Sequence, residues 1–162
     1  MSTPQRLSIR DVDPAAVEAV LGLERYVRAG DLEPRLLELL KVRASQLNGC
    51  AYCLDMHNRD ARALGEGQRR LDVVAAWREA AGLFTDRERA ALAFTEAVTR
   101  IGDVGVPDEV WAGLTHCFDD TEIVRLLLAV ATINVWNRLA VSTHQDLPDI
   151  ENAPAHREGD SG

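Results

Sequence analysis

The chain has 162 residues, a formal net charge of −8, and 46% hydrophobic residues. A chain of this length buries roughly 70% of the surface that its unfolded form exposes, so it can form one domain without disulfide or metal crosslinks. Because nucleic acids and anionic membrane surfaces are bound mainly through clustered Lys and Arg, the acidic balance argues against both kinds of partner.

The N-terminal residues contain no apolar segment of the kind that forms a secretory signal. The longest mostly apolar run, residues 126–136, is shorter than the roughly 20 residues needed to span a bilayer. Three cysteines are too few, and odd in number, for a secreted disulfide framework. We therefore expect a cytoplasmic protein with reduced thiols and no membrane contact.

Helix-favouring residues dominate the chain. The proline-free interval 35–106 is rich in Ala, Leu, Glu and Arg, which lose little freedom in a helix. Thr85 and Glu88 form a capping box at one expected helix start. No segment alternates polar and apolar residues as a half-buried strand does. The predicted helices are 14–28, 34–47, 50–64, 68–80, 86–101, with Ile101 on its apolar face, 107–117 and 121–144.

These elements predict an all-α fold, a single-domain helical bundle over residues 1–148. The last helix is the most apolar, and we expect it at the centre of the bundle or in a subunit contact. Residues 149–162 are polar, contain Pro and Gly, and lack apolar periodicity. That composition is typical of a disordered tail.

The residues with the most chemical information lie where the second and third predicted helices meet. Asn48 and Gly49 are expected to break the helix, after which Cys50, Cys53 and His57 follow at spacings of three and four, on one helical face. Cys50 falls in the first turn, where unpaired N–H groups and the helix dipole stabilise a thiolate. His57, one turn beyond Cys53, is placed to accept a thiol proton.

Glu38 is the candidate partner of this histidine. A histidine base works better when its second nitrogen is held by an acceptor, which fixes the tautomer and stabilises the imidazolium. Glu38 lies on the preceding helix, on a polar strip with Lys41 and Ser45. If the two helices pack antiparallel across their short connection, Glu38 comes alongside His57.

Zinc binding is an alternative role for the same residues. Cys50, Cys53 and His57 supply three ligands, and Cys117 or His116 would be the fourth. Three ligands on one continuous helix strain a tetrahedral site, however. We therefore expect no metal and no bound cofactor.

Other residues near the motif have simpler interpretations. By helical spacing Tyr52 faces away from the cysteines, which favours a packing role. Cys117 is expected to be a small core residue. Trp136 suits the core or a subunit contact, and Asn137 and Arg138 beside it are candidates for lining a pocket, with nothing in the sequence to decide this.

The pattern resembles the alkylhydroperoxidase D-like core within the carboxymuconolactone decarboxylase superfamily. In that core an acidic residue, a Cys-x-x-Cys pair and a following His recur at fixed offsets. The resemblance is strong over roughly the middle third of the chain, and the flanking helices match only in kind. The positions that carry it are Glu38, Ser45, Asn48, Cys50, Tyr52, Cys53 and His57.

The resemblance implies an all-helical subunit that assembles into a homotrimer or homohexamer and reduces hydroperoxides. Cys53 would be the peroxidatic thiolate, Cys50 the resolving thiol, and His57 with Glu38 the proton relay. The resulting sulfenic acid condenses with the second thiol, and an external dithiol or protein reductant must reset the disulfide. Tyr52 stands where the characterised alkylhydroperoxidase has a histidine, which shortens the relay by one imidazole.

Two other functions fit the same residues. One is a non-catalytic helical oligomer whose cysteine pair senses oxidation or binds metal. The other is an enzyme of the superfamily that acts on a different small molecule in the same pocket. Lactone decarboxylation is disfavoured, because the decarboxylase branch lacks the cysteine pair.

Overall fold

The computed structural model describes residues 4–80 and 82–148. Within them the chain forms helices and no strand, which confirms the predicted all-α class. The tail predicted for residues 149–162 lies outside the described residues. In chain order the helices are α1 (Ile9–Val12), α2 (Pro14–Arg28), α3 (Pro34–Asn48), α4 (Ala51–Ala63), α5 (Gln68–Val73), α6 (Asp86–Thr99), α7 (Asp108–Cys117) and α8 (Asp120–Thr143).

Most helix boundaries agree closely with the predicted ones. The largest difference is in the predicted helix 68–80, because α5 ends at Val73 and a 3₁₀ turn, Val74–Ala76, follows it. In a 3₁₀ turn, residues three apart lie on one side. The tighter winding therefore buries three apolar side chains together. They are Leu71, Val74 and Trp77.

Two other differences come from short or weak signals. The prediction missed α1, a single turn capped by Ser8 that contains no buried residue and so has no apolar periodicity to detect. It also extended α6 too far. That helix ends at Thr99, and Ile101 is 64% exposed rather than part of the apolar face.

The connection between α3 and α4 positions the candidate site. The last turn of α3 is closed by hydrogen bonds from the N–H groups of Gly49 and Cys50 to the carbonyls of Gln46 and Ser45. Gly49 has φ +63° and ψ +33°, a left-handed conformation that side chains disfavour. The glycine thus lets α4 turn back and pack along α3.

Helix α3 lies at the centre of the bundle and contacts α4, α6 and α8. Almost all its side chains between Leu36 and Ser45 are buried, including the polar strip of Glu38, Lys41 and Ser45. Charged residues are rarely buried unless they are paired. The burial of this strip therefore points to partners inside the protein.

Helix α8 has one buried and one exposed face. Its buried side chains include Leu126, Val130 and Ile133, whereas Val124 and Leu127 are exposed. Contrary to the prediction from the apolar run, α8 is long and apolar enough to cross a membrane by length and composition. It packs against α2, α3 and α6. A core position therefore accounts for its apolar face.

Candidate active site

The antiparallel packing of α3 and α4 brings Glu38 and His57 together, as the sequence predicts. The Nδ1 atom of His57 lies 2.7 Å from Oε2 of Glu38, and both side chains are buried. Because a carboxylate can only accept, Nδ1 carries the proton of this hydrogen bond. In the neutral ring Nε2 is then the free base, and it has no hydrogen-bond partner among the described residues.

Further charges surround Glu38. Lys41 Nζ lies 3.5 Å from Glu38 Oε1 and also pairs with Glu24. Arg28 lies 3.7 Å from Glu38. We call these five residues, Glu24, Arg28, Glu38, Lys41 and His57, the charged cluster. Burial alone would raise the pKa of Glu38, but the hydrogen bond to His57 and the Lys41 ammonium hold it below its ordinary value of 4.5. Glu38 is therefore a carboxylate.

Cys50 and Cys53 are both reduced and almost completely buried. Cys50 is the N-cap of α4, and its Sγ accepts a hydrogen bond from the N–H of Cys53 at 3.4 Å. The cap position exposes Sγ to the positive end of the helix. The turn of α4 thus stabilises negative charge at Cys50, in line with the prediction for the first turn.

The two thiols differ in acidity. The hydrogen bond with the Cys53 thiol, opposed by burial and aided by the Cys53 N–H and the Asn137 amide, lowers the pKa of Cys50 to about 7. The same hydrogen bond, burial and the charge on Cys50 raise the pKa of Cys53 above that of a free thiol. At neutral pH the pair therefore carries its negative charge mainly on Cys50.

Polar side chains of α8 join the site through a network that sequence reasoning missed. Asn48 Nδ2 donates to Oδ1 of Asn134 at 3.0 Å and to Oδ1 of Asn137 at 2.8 Å. Asn137 Nδ2 donates in turn to Ser45 Oγ at 3.0 Å. We call Ser45, Asn48, Asn134 and Asn137 the amide cluster. The sequence had singled out Ser45 and Asn48 as motif positions and Asn137 as a candidate pocket residue, but no local pattern indicated that they bond to one another.

A cavity of about 450 Å³ opens beside Cys53 and His57. Its volume is within the range of roughly 300–1,000 Å³ that is usual for small-molecule sites. Cys53 and His57 lie on its wall. Cys50 is not among the described residues that line the cavity, although both cysteines are only 1% exposed, so the two differ in their position relative to the cavity. The other lining residues include Glu24, Arg28, Met56, Asp60, Trp136 and N-terminal residues between Gln5 and Arg10.

Tyr52 is placed differently from the prediction. Its side chain is partly buried, packs against the cluster that contains both cysteines, and lines the cavity. Tyr52 directly precedes Cys53, so their side chains are about 100° apart around the helix axis. The cavity is wide enough for both side chains to line it. Tyr52 thus has the predicted packing role and in addition forms part of the pocket wall.

Among the described residues, no fourth zinc ligand lies beside Cys50, Cys53 and His57. Cys117 packs in the main core cluster, whereas Cys50 and Cys53 belong to a separate smaller one. The acceptor atoms of Glu38, His57 and Asp60 lie within 4.8 Å of one another. Glu38 is already paired with two cations, so this group has little residual charge to offer a metal.

With this geometry in view, comparison with known proteins assigns a family. The model of the carboxymuconolactone decarboxylase family matches residues 14–97, which is just over half of the chain. The chain belongs to this family. The matched part of this chain contains Glu38, His57 and both cysteines. It ends before α8, which carries Asn134 and Asn137.

Several relatives extend the family similarity to nearly the whole chain. The Bacillus subtilis protein YdfG, which is uncharacterised, is 36% identical over 138 residues, or 85% of this chain and 93% of YdfG. A crystal structure of an Agrobacterium tumefaciens protein of unknown function, provisionally described as antioxidant defence protein AhpD, matches with a TM-score of 0.86 and 39% identity. The match covers 90% of this chain and 99% of that one.

A second solved structure, that of the debrominase Bmp8, has the same fold with a different named activity. Its TM-score is 0.74 at 18% identity, over 85% of this chain and 74% of that one. This similarity concerns the fold alone. The carboxymuconolactone decarboxylase fold therefore supports more than one chemistry, and the site residues must carry the functional argument.

Proposed function

We propose that the protein is a dithiol peroxidase that reduces hydroperoxides, with Cys53 as the attacking sulfur and Cys50 as the resolving one. The observation that carries this proposal is the shared wall of one cavity: Cys53 and the Glu38-bound His57 both face it. A peroxide in the cavity would meet a thiol and a general base together. Cys50 lies behind Cys53, one helical turn away.

The first step transfers an oxygen atom to Cys53. His57 Nε2 takes the thiol proton, and the imidazolium is stabilised by the Glu38 carboxylate. The Cys53 thiolate attacks the peroxide, so that an S–O bond forms and the O–O bond breaks. The leaving alkoxide takes the proton from His57 and departs as an alcohol. Cys53 is then a sulfenic acid.

The second step forms a disulfide. The low pKa of Cys50 means that its thiolate is already present at neutral pH. It attacks the sulfenic sulfur, the S–S bond forms, and hydroxide leaves and takes up a proton to become water. In this proposal the cysteine on the cavity wall attacks and the more acidic one resolves.

Two electrons must then come from another molecule. Cys117 lies in a different core cluster from the pair and is not placed to act as a second dithiol. We propose an external dithiol or protein reductant that exchanges with the disulfide, in a reducing cytoplasm.

The proposal includes assembly into a homotrimer or homohexamer. Exposed apolar side chains on α8, namely Val124, Leu127 and Val141, support a contact between copies. Sedimentation equilibrium should give three or six chain masses. A mass of one chain at micromolar concentration would exclude the assembly.

The roles of the two sulfurs are tested by single substitutions in a Cys117→Ser background, which removes the remaining cysteine and should leave the rate unchanged. With dithiothreitol as reductant, Cys53→Ser should abolish consumption of cumene hydroperoxide. Cys50→Ser should slow it, because dithiothreitol must then reduce the Cys53 sulfenic acid directly. Dimedone should trap a sulfenic acid at Cys53 in the Cys50→Ser protein, as seen by mass spectrometry.

The other outcomes are distinct. Modification at Cys50 alone, in the Cys53→Ser protein, would reverse the two roles. Peroxide consumption at an unchanged rate in both variants would exclude the peroxidase. Stoichiometric disulfide formation without turnover would instead favour the oxidation-sensing oligomer.

A further inference from the structure

Asn137 is a completely buried side chain of α8 that lies against the dithiol. Its helix neighbours Ile133 and Ala140 pack in the same small cluster as Cys50 and Cys53. A buried amide has two N–H donors and one carbonyl acceptor to satisfy. The partners of each group therefore show what this residue is oriented to do.

The orientation of the amide follows from a chain of obligatory donors. Arg138 can only donate, and its guanidinium lies 2.7 Å from Oδ1 of Asn134. Because that oxygen also receives a hydrogen bond from Asn48, the Asn48 group is the NH₂ end. The same NH₂ donates to Asn137 at 2.8 Å, which makes the acceptor the Asn137 carbonyl oxygen. The amide nitrogen of Asn137, Nδ2, therefore lies on the side of the amide group that faces away from Asn48.

That Nδ2 atom carries two hydrogens and gives one of them to Ser45 Oγ, at 3.0 Å. Within residues 4–80 and 82–148 its second N–H has no oxygen acceptor. Because Ile133 and Ala140, on either side of Asn137 along the helix, pack in one cluster with Cys50 and Cys53, this face of α8 is directed at the two sulfurs. Hydrogen bonding from Asn137 contributes to the lowered pKa of Cys50 and opposes the larger effects that raise the pKa of Cys53. A sulfur atom is a weak acceptor as a thiol and a strong one as a thiolate.

We propose that Asn137 is the thiolate-binding residue of the site: its second N–H donates to whichever sulfur carries the negative charge, while Ser45 and Asn48 hold the amide in place. This inference rests on the proposed function, in that it takes Cys50 and Cys53 as the reacting pair. At rest the acceptor is the Cys50 thiolate. When Cys53 loses its proton and attacks, the same donor lies beside the new thiolate.

A neutral donor suits this task better than a charged one. The pair is anionic when reduced and uncharged as a disulfide, so a buried Arg or Lys here would lose its counter-charge in every cycle. Removing one partner of a buried ion pair leaves an uncompensated charge and is strongly destabilising. An amide leaves no uncompensated charge in the disulfide state, in which its second N–H has only a weak sulfur acceptor.

The test measures thiolate formation without peroxide, so that it is independent of the peroxidase reaction. In the Cys117→Ser background, absorbance at 240 nm and the rate of iodoacetamide alkylation are followed against pH. Asn137→Leu removes the donor at similar volume and should raise the titration midpoint by about one to two pH units. Alkylation at pH 6 should slow by at least about tenfold.

Thr132→Val is the matched control. Thr132 is also a fully buried polar residue of α8, but its hydroxyl bonds to the carbonyl of Leu128 in its own helix. Its midpoint should stay unchanged, which separates loss of the donor from general loosening of the helix. A midpoint in Asn137→Leu equal to that of the parent protein would overturn the proposal.

Asn137→Asp provides a second measurement if the leucine variant does not fold. It keeps the shape of the side chain and replaces the donor by an acceptor, so the midpoint should rise at least as far. An unchanged midpoint would again overturn the proposal. With cumene hydroperoxide, either folded variant should react more slowly than the parent at pH 6 and approach it at pH 9, whereas a purely structural defect would slow the reaction equally at both.

Discussion

The charged cluster and the amide cluster lie on the two sides of the candidate site, and α3 contributes buried residues to both. Glu38 and Lys41 from its middle belong to the charged cluster, whereas Ser45 and Asn48 from its end belong to the amide cluster. The first holds fixed charges that keep the Glu38 carboxylate ionised beside His57. The second holds neutral donors beside sulfurs whose charge would change in the proposed redox cycle. Permanent charge is thus kept beside the base, and adaptable hydrogen bonds beside the sulfurs.

The largest effect should follow from removing the buried cation of the charged cluster. Lys41→Met leaves Glu24 and Glu38 with Arg28 alone, and removal of one partner from a buried ion pair costs about 3–5 kcal/mol. Urea unfolding would measure this as a lower midpoint. Arg25→Met is the control, because its pair with Glu18 is highly exposed and should contribute less than about 1 kcal/mol. Equal losses of unfolding free energy in Lys41→Met and Arg25→Met would contradict the expectation that a buried ion pair costs more to break than an exposed one.

His57→Gln should slow peroxide consumption by at least about hundredfold, the usual contribution of a general base. Glutamine can still hydrogen-bond to Glu38, so the fold should survive while the base is lost. The dependence of the rate on pH should also change. His116→Gln, on the exposed surface of α7, should leave both rate and profile unchanged. An unaltered profile in His57→Gln would remove His57 from the relay.

On the amide side, Asn48→Ala should cost about 1–3 kcal/mol, because it leaves the oxygens of Asn134 and Asn137 without one donor each. The cost is smaller than for Lys41→Met because no formal charge is left buried. Urea unfolding of the two variants under one condition tests this order. A larger loss for Asn48→Ala would reverse our comparison of the two clusters.

The smallest expected effect is a difference in acid sensitivity. The neighbouring cations hold the pKa values of Glu24 and Glu38 below 4.5, against the opposing effect of burial. Their stabilising contribution is therefore present above pH 4.5 and is lost as the pH falls through the lower values of the folded state. In Lys41→Met the pKa values of Glu24 and Glu38 should both rise. The difference in unfolding free energy between this variant and the parent protein should therefore become smaller as the pH falls.

Urea midpoints of the parent and Lys41→Met proteins at pH 7 and pH 4 measure this gap. Asn48→Ala serves as the reference, because an amide does not titrate and its gap should be the same at both pH values. A constant gap for Lys41→Met would show that Lys41 has no part in keeping the two carboxyl groups ionised.

The Glu38–His57 contact of the charged cluster was predictable from sequence, whereas its Glu24 and Arg28 members and the contacts of the amide cluster were not. Glu38 and His57 belong to consecutive helices, and a short connection ending in Gly49 leaves few ways to pack them, so helical spacing and chain direction predicted their contact. Asn137 reaches Asn48 across a separation of 89 residues. Which face of α8 meets α3 depends on the packing of the whole bundle, and a local pattern does not contain that information.

The cavity could not be predicted from the sequence for the same reason, because its wall depends on the packing of the whole bundle. Its wall combines α4 with α8 and with N-terminal residues that hydrogen-bond to the end of α8, where the Arg6 N–H donates to the Thr143 carbonyl at 2.8 Å. Contacts between the two ends of a chain leave no periodic signal. The error for Tyr52 follows from this, since its orientation was judged relative to the cysteines without knowing the width of the space between the helices.

Lys41 is the one lysine in the sequence, and it is 1% exposed. Every cationic side chain on the surface of the described residues is therefore a guanidinium or an imidazole, and an amine-selective acylating reagent meets no exposed lysine there. The rate at which such a reagent modifies Lys41 should follow the opening of its contacts with Glu24 and Glu38. A single chemical label at Lys41 thus reports how often the interior beside Glu38 and His57 opens to solvent.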